Sequence, residues 1–177
     1  VAPFNLILVL HRLIDHEIEL AKSGKQGRII LKMNALQDPA MIERLYEASQ
    51  AGVKTDLIVR GICCLIPGRK FSRNIRVTRI VDTYLEHARV WYFGNGGKPK
   101  LFLGSPDWMR RNLYRRIEAV TPILDPDLKR ELSDMLSIQL SDKRKACFVD
   151  DRLRNRWKSA RPQKEKIRAQ YTFSEYL

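Results

Sequence analysis

Residues 28–60 read R-I-I-L-K-M-N-A-L-Q-D-P-A-M-I-E-R-L-Y-E-A-S-Q-A-G-V-K-T-D-L-I-V-R. The first seven, 28–34, are short and rich in strand formers. Asp38-Pro39 has the form of a helix start, with Asp38 as N-cap and Pro39 at the first helical position. That helix runs through Ala51 and is closed by Gly52, and V-K-T-D-L-I-V-R, 53–60, is a second strand. Strand, helix and strand within about 30 residues predict two parallel strands of one sheet joined by a crossover helix. In such sheets polar groups at the carboxyl ends of the strands tend to meet in one crevice. Lys32 and Asn34 close the first strand, and Arg60 closes the second.

Outward from this unit, residues 5–23 place Leu6, Leu10, Leu13, Ile14, Ile18 and Ala21 mostly three or four apart, an amphipathic helix ended by Ser23-Gly24. Residues 67–74 form a basic loop, 75–80 a strand, 81–86 a short helix or turn, and 88–94 a strand. Asn95-Gly96-Gly97 reads as a hairpin turn, with 100–105 pairing back on the strand before it. Residues 106–113 read as a loop, 115–124 as a strand, and 125–140 as a helix capped by Asp125. The fold class is therefore α/β, a mixed β-sheet with helices on its faces. Residues 1–140 form one domain, and 141–177 a basic C-terminal extension packed on it, with a last helix from Gln163.

The chain has 177 residues, 44% hydrophobic, enough for one domain with a sizeable core. Its net charge of +13 favours an anionic partner: nucleic acid, an anionic membrane surface or a phosphate-rich substrate. The three cysteines, Cys63, Cys64 and Cys147, are odd in number and lack zinc spacing, which argues against a disulfide framework. Vicinal Cys63-Cys64 in an apolar segment reads as two small buried thiols. No apolar run reaches the roughly 18 residues that span a bilayer, and no signal peptide is evident. Residue 1 is Val and A-P-F-N-L-I-L-V-L resembles the inside of a domain, so the expectation is a fragment of a longer chain.

Arg60 ends an apolar strand, where an unpaired buried charge is costly. It must find an anion or reach water; the anion is either a carboxylate at the edge of the core or a ligand, and a guanidinium fork suits phosphate oxygens. Gly61 beside it permits close approach of a ligand to the backbone. His87 stands just before a strand. It is either a satisfied structural residue or a group that donates to phosphate, attacks as nucleophile or acts as general acid. His11 and His16 lie in the first helix as surface or packing residues. Arg69, Lys70 and Arg73, and Arg110-Arg111 with Arg115-Arg116, are solvated faces or, if both loops rim the crevice, a polyanion track. Trp91, Tyr92 and Phe93 alternate along a strand, so at least one face of it is core.

Several stretches, in this order and spacing, resemble one family. They are L-K-M-N at 31–34, A-S-Q-A-G-V-K-T-D-L-I-V-R-G-I-C-C-L-I-P-G at 48–68, N-I-R-V-T-R-I-V-D-T-Y-L-E-H-A-R-V at 74–90, F-G-N-G-G at 93–97 and S-P-D-W-M-R-R-N-L-Y-R-R-I-E at 105–118. They are similar to the C-terminal catalytic domain of bacterial polyphosphate kinase. The resemblance implies reversible transfer of the terminal phosphoryl group of ATP to inorganic polyphosphate, with a phospholipase-D-like fold and an active site between two such halves. This chain resembles the second half. On that resemblance Arg60 and His87 contact the nucleotide phosphates, with His87 a hydrogen-bond donor or general acid. Lys32, Asn34, Arg69, Lys70, Arg110 and Arg111 are further contacts for a polyanion.

The same resemblance places the phosphorylated histidine in a preceding domain, beside arginines that help hold Mg2+, so no metal ligand is expected in this chain. Partners are then ATP or ADP, inorganic polyphosphate and the preceding domains, with a homo-oligomer for the full-length enzyme and no specific nucleic acid. The location is the cytoplasm, with peripheral contact at the inner membrane allowed. The fragment alone is expected to be inactive. Two departures stand out. The phospholipase D signature H-x-K-x-x-x-x-D reads His87, Arg89 and Gly94 here, and G-S-P-D, 104–107, replaces G-S-x-N. The alternative from another class is a nucleic-acid-binding module using the same basic surface. It is weakened by the few aromatics in the basic loops, Phe71, Trp108 and Tyr114.

Overall fold

A computed structural model describes residues 1–158 and 167–176. Helix α1 (Leu6–Lys22) leads into strand β1 (Arg28–Met33), helix α2 (Pro39–Gln50) and strand β2 (Lys54–Val59). The carboxylate of Asp38 accepts the amide hydrogen of Met41 at 3.0 Å, and Pro39 occupies the first turn, as the sequence predicts. Strands β1 and β2 pair in parallel from Arg28 opposite Lys54 to Met33 opposite Val59. Strand β3 (Ile75–Ile80) adds in parallel to β2. Strands β4 (Arg89–Phe93), β5 (Lys100–Gly104) and β6 (Val120–Ile123) extend the other side, antiparallel in succession.

Two features reach further than the sequence predicts. Residues 106–113 hold the start of a short helix, α3 (Arg110–Tyr114), rather than only a loop. The strand expected over 115–124 is confined to β6, because Arg115 follows directly on α3 and Glu118 is drawn aside to bridge Ala2. After helix α4 (Pro126–Ser141), whose Asp125 cap accepts from Asp127 and Leu128, the tail supplies two strands, β7 (Ala146–Val149) and β8 (Asn155–Trp157). Strand β7 pairs antiparallel with β3, and β8 pairs with β7. The described residues thus form an eight-stranded mixed sheet in the order β6-β5-β4-β1-β2-β3-β7-β8. The last helix, α5 (Ala169–Tyr176), packs on α4. Part of the segment predicted as helical from Gln163 lies outside the described residues.

The alternation of each strand sorts its side chains to two faces. One face holds Ile29, Leu31, Met33, Leu57, Val59, Val77, Trp91 and Phe93 and is covered by the apolar stripes of α1 and α2. The other holds Ile30, Ile58, Ile80 and Val90 under Leu136 of α4. Trp91 and Trp108, both fully buried, meet edge to face at 5.8 Å. Asn95, Gly96 and Gly97, at φ 47°, 63° and 92°, make the left-handed turn between β4 and β5. The expectation of two buried vicinal thiols fails. Cys64 is exposed and Cys63 half-buried, because after Gly61 the chain leaves the sheet and only its backbone is tied back, Cys64 amide to Leu36 carbonyl.

Candidate functional site

Parallel strands β1 and β2 end side by side, and this brings Asn34 and Arg60 together. The amide of Gly61 donates to the Asn34 carbonyl at 2.9 Å. A Cβ on Gly61 would lie 2.8 Å from that oxygen, so only glycine fits the approach. The Arg60 Nε donates to the Asn34 side-chain oxygen. Among the described residues no carboxylate comes within ion-pair distance of Arg60, so of the two sequence readings the structural salt bridge is not the one observed.

Strand β4 runs antiparallel to β1, with Val90 opposite Lys32, so the residues just before β4 stand at the same carboxyl end. His87 is there, exposed, with its Nδ1 3.4 Å from Nη2 of Arg60. For a guanidinium to donate, Nδ1 must act as acceptor, which leaves the ring hydrogen on Nε2, turned to the far side of the ring. Arg89 fixes the backbone under His87. Its Nη1 donates to the His87 carbonyl at 2.7 Å, while its Nε and Nη2 grip Asp107 at 3.3 and 3.1 Å. Asp107, buried, also accepts the amides of Asn34 at 2.7 Å and Ala35 at 3.1 Å. A closed circuit therefore runs Arg60, Asn34, Asp107, Arg89, His87 and back to Arg60.

Lys32 points to Glu86 at 2.5 Å. Burial pushes the Lys32 ammonium down from its ordinary value, opposed by Glu86. Burial would raise Glu86, but Lys32 and the amide donors of Gln170 and Gln139 outweigh it and hold its carboxyl below the usual range. Lys32 is thus engaged by an acid rather than turned outward.

The two basic clusters do not share a rim. Gly104 lies opposite Arg89, so residues 105–119, with exposed Arg110 and Arg111 on α3, stand at the carboxyl end near the pair. Thr55 lies opposite Ile75, so Arg69, Lys70 and Arg73 stand at the amino ends, across the sheet from Arg60. There Arg69 meets the Asp151 carbonyl at 3.1 Å and its carboxylate at 3.5 Å, and Lys70 lines a shallow surface hollow with Gln50, Phe71 and Arg73. A wider hollow of about 580 Å³, lined by Lys25, Arg28, Tyr92 and glycines of the β4–β5 turn, also lies at the amino ends. Of the aromatics in the basic loops, Trp108 is core and Phe71 packs edge-on against Tyr46 at 4.7 Å.

Among the described residues no group of three or more His, Cys, Asp or Glu could hold a metal ion. No described helix is long and apolar enough to cross a membrane. Sequence reasoning passed over Arg89 and Asp107 except as departures from a signature, and Glu86 altogether. The usable signal for Asp107 was an acid set between Pro106 and an apolar tryptophan, where burial demands donors.

Comparison with known proteins bears on the whole chain. The family model described as polyphosphate kinase C-terminal domain 2 matches residues 1–170. Polyphosphate kinase of Escherichia coli K12 is 46% identical over 178 residues, covering all of this chain and 26% of its own length. That of Synechocystis is 52% identical over 147 residues, 82% of this chain and 20% of its own. The crystal structure of polyphosphate kinase from Porphyromonas gingivalis superposes with a TM-score of 0.94 at 54% identity, over 97% of this chain and 26% of that one. NucT from Helicobacter pylori (TM-score 0.57, 15% identity, 79% of this chain and 92% of that one) shares the fold alone. So does Nuc, a phospholipase D family member from Salmonella typhimurium (TM-score 0.50, 16% identity, 70% and 84%). The chain spans about a quarter or less of the length of the curated relatives it matches. With a family model matched over nearly every residue, the chain belongs to the polyphosphate kinase C-terminal domain 2 family.

Proposed function

We propose that this domain is the second half of a phosphotransferase site, in an enzyme that reversibly moves the terminal phosphoryl group of ATP to inorganic polyphosphate. The observation that carries the reading is the Arg60–His87 pair, 3.4 Å apart at the carboxyl ends of the parallel strands, with its cation matched by no acid among the described residues. In the forward direction a histidine of the preceding domain attacks the terminal phosphorus, and the bond to the ADP oxygen breaks. The resulting phosphohistidine then yields its phosphoryl group to the terminal oxygen of the polymer, restoring the free imidazole. Splitting the transfer in this way replaces one hard step by two easier ones. Arg60 positions phosphate oxygens with its fork and offsets charge that spreads over them in transfer. His87 presents Nε2–H to a phosphate oxygen, or, as an imidazolium whose Nδ1 no longer accepts from Arg60, gives up its Nε2 proton as general acid and returns to the neutral ring. Mg2+ is assigned to the preceding domain, and no step of this chain runs through it. The partners follow: ATP or ADP, polyphosphate, the preceding domains and a second copy of the full-length enzyme.

The test places variants in a polyphosphate kinase carrying this chain as its C-terminal domain. Arg60→Ala and His87→Ala should each lower kcat/KM by roughly 10²-fold or more if they act on developing charge. His87→Gln keeps a donor but cannot release a proton. Activity near wild type in Gln separates donor from acid, and a Gln variant as poor as Ala, with one limb lost from the pH profile, identifies the acid. The isolated 177-residue chain should turn over no ATP. Near-wild-type rates in both alanine variants would remove the site from Arg60 and His87.

A further inference from the structure

The segment that carries His87, residues 81–88, has no helix or strand of its own. Its large apolar side chains give it no anchor: Val81, Tyr84 and Leu85 are 68%, 65% and 68% exposed. A loop so exposed should wander, yet His87 stands at a defined distance from Arg60. Besides Arg89 under His87 and Lys32 and Gln139 on Glu86, a set of ties comes from the far end of the chain. Arg168 grips Asp82 with Nε at 2.9 Å and Nη2 at 2.6 Å, and Nη2 also reaches the Thr83 hydroxyl at 2.8 Å. The buried amide of Gln170 brackets Tyr84, accepting its N–H at 2.8 Å and donating to its carbonyl at 2.7 Å. The same Gln170 nitrogen donates to Glu86 at 3.0 Å. Four residues of the segment, at 82, 83, 84 and 86, are thus held by Arg168, just before α5, and Gln170 in its first turn, and the next position is His87. The clasp is itself anchored, since buried Asp142 accepts the amide of Ala169 at 2.7 Å.

We propose that Arg168 and Gln170 are positioning residues for phosphoryl transfer, a clasp through which the last helix sets where His87 stands relative to Arg60. This rests on the reading of His87 as a phosphate-handling group. The clasp bonds the backbone and acids of the segment and leaves the imidazole itself untouched, so it determines the ring's place rather than its chemistry. A shift of about 1 Å in a reacting group can cost on the order of 10²-fold in rate without weakening substrate binding.

Gln170→Ala and Gln170→Glu in a polyphosphate kinase carrying this chain provide the test. Glutamate keeps the volume and the acceptor for the Tyr84 amide. It loses both donors and sets a carboxylate against Glu86, so a residue needed only for packing would be rescued and a clasp would not. The expected result is a kcat lowered roughly 10- to 100-fold in both variants, with the KM for ATP within about twofold of wild type. In a His87→Ala background the same substitutions should add less than about twofold, because they act through the ring that is gone. Hydrogen–deuterium exchange of the peptide spanning 81–88 supplies a readout free of activity, and it should rise at least about tenfold in both variants. Unchanged exchange in both variants overturns the clasp. Losses that multiply with His87→Ala overturn its role in positioning. If His87→Ala itself keeps full activity, the reading of His87 falls, and the exchange alone decides the clasp.

Discussion

The two ends of the sheet both carry arginines and hold them differently. At the amino ends Arg28 faces Asp56, Arg69 faces Asp151, and Arg154 and Arg156 share Asp150. At the carboxyl ends Arg89 and Lys32 also face acids, but Arg60 leans on a neutral amide and an imidazole. Asp107 accepts backbone amides beneath the site, and Glu86, next to His87, is bonded by the side chains of Lys32, Gln139 and Gln170. Net charge alone would rank the two ends together. The distinction lies in which cation is left with capacity for an incoming anion, and it can be broken or sharpened by substitution.

The largest effect is expected at Arg60. Arg60→Lys keeps the charge and loses the fork, so it should fall nearly as far as Arg60→Ala, about 10²-fold or more in kcat/KM measured by polyphosphate synthesis. A lysine variant near wild type would show that charge suffices and would erase the contrast between the ends. Next comes Asp107→Asn, which leaves an amide to face the Arg89 guanidinium at a buried position. A loss of about 1–3 kcal/mol is expected in chemical denaturation of this chain, together with lower activity in the assembled enzyme as Arg89 releases the His87 carbonyl. Stability lost without activity would confine Asp107 to folding.

A pH series should separate the ends next. Hydrogen bonds from Arg168, reinforced by its charge and that of Lys145, hold the Asp82 carboxyl below the usual range. Glu86 is held low by Lys32, Gln170 and Gln139 against its burial. A carboxyl depressed in the folded state contributes stability that is present above its ordinary value and lost as pH falls through the lower folded one. Protection of residues 81–88 against hydrogen exchange should therefore be full at neutral pH and fade only below about pH 4, the ordinary carboxylate range. Loss of protection between pH 8 and 6 would contradict this. The smallest effect is expected at Arg69→Ala, whose ion pair is about half exposed. Its stability should change by no more than about 0.5 kcal/mol and its activity by less than about twofold.

The parallel unit was legible because its signals agree. Asp38-Pro39, Gly52 and two strand-forming runs at one spacing specify the crossover, and the ends of those strands single out Arg60 and Asn34. The sequence singled out His87 as a candidate, but only the family likeness set it with Arg60, 27 residues earlier. Strands β7 and β8 were missed because four and three residues in a basic tail carry too little periodicity, and their pairing with β3 is tertiary. Whether the two basic loops share a rim stayed open in the sequence for a related reason. A loop's charge is visible in sequence, but which end of the sheet it visits is decided by strand direction, and residues 61–74 cross back to the amino ends before β3 begins. Gln170 had no signal at all, because a glutamine gives no hint of the backbone it will bracket.

The clasp also has a meaning in time. Its bonds join Tyr84 to Gln170 across 86 positions and Glu86 to Gln170 across 84, whereas the crossover from β1 to β2 closes within neighbouring segments. Contacts between remote positions form late, since the intervening chain must be ordered first, and domains emerge from synthesis with their N-terminal parts leading. Arg60 and Asn34 can therefore be brought together while residues 167–176 are still unmade, but His87 cannot be secured. A chain stopped short of Arg168 would keep the Arg60–Asn34 contact but lack the bonds that Arg168 and Gln170 make to Asp82, Tyr84 and Glu86. The position of His87 thus depends on a part of the chain made more than 80 residues after it.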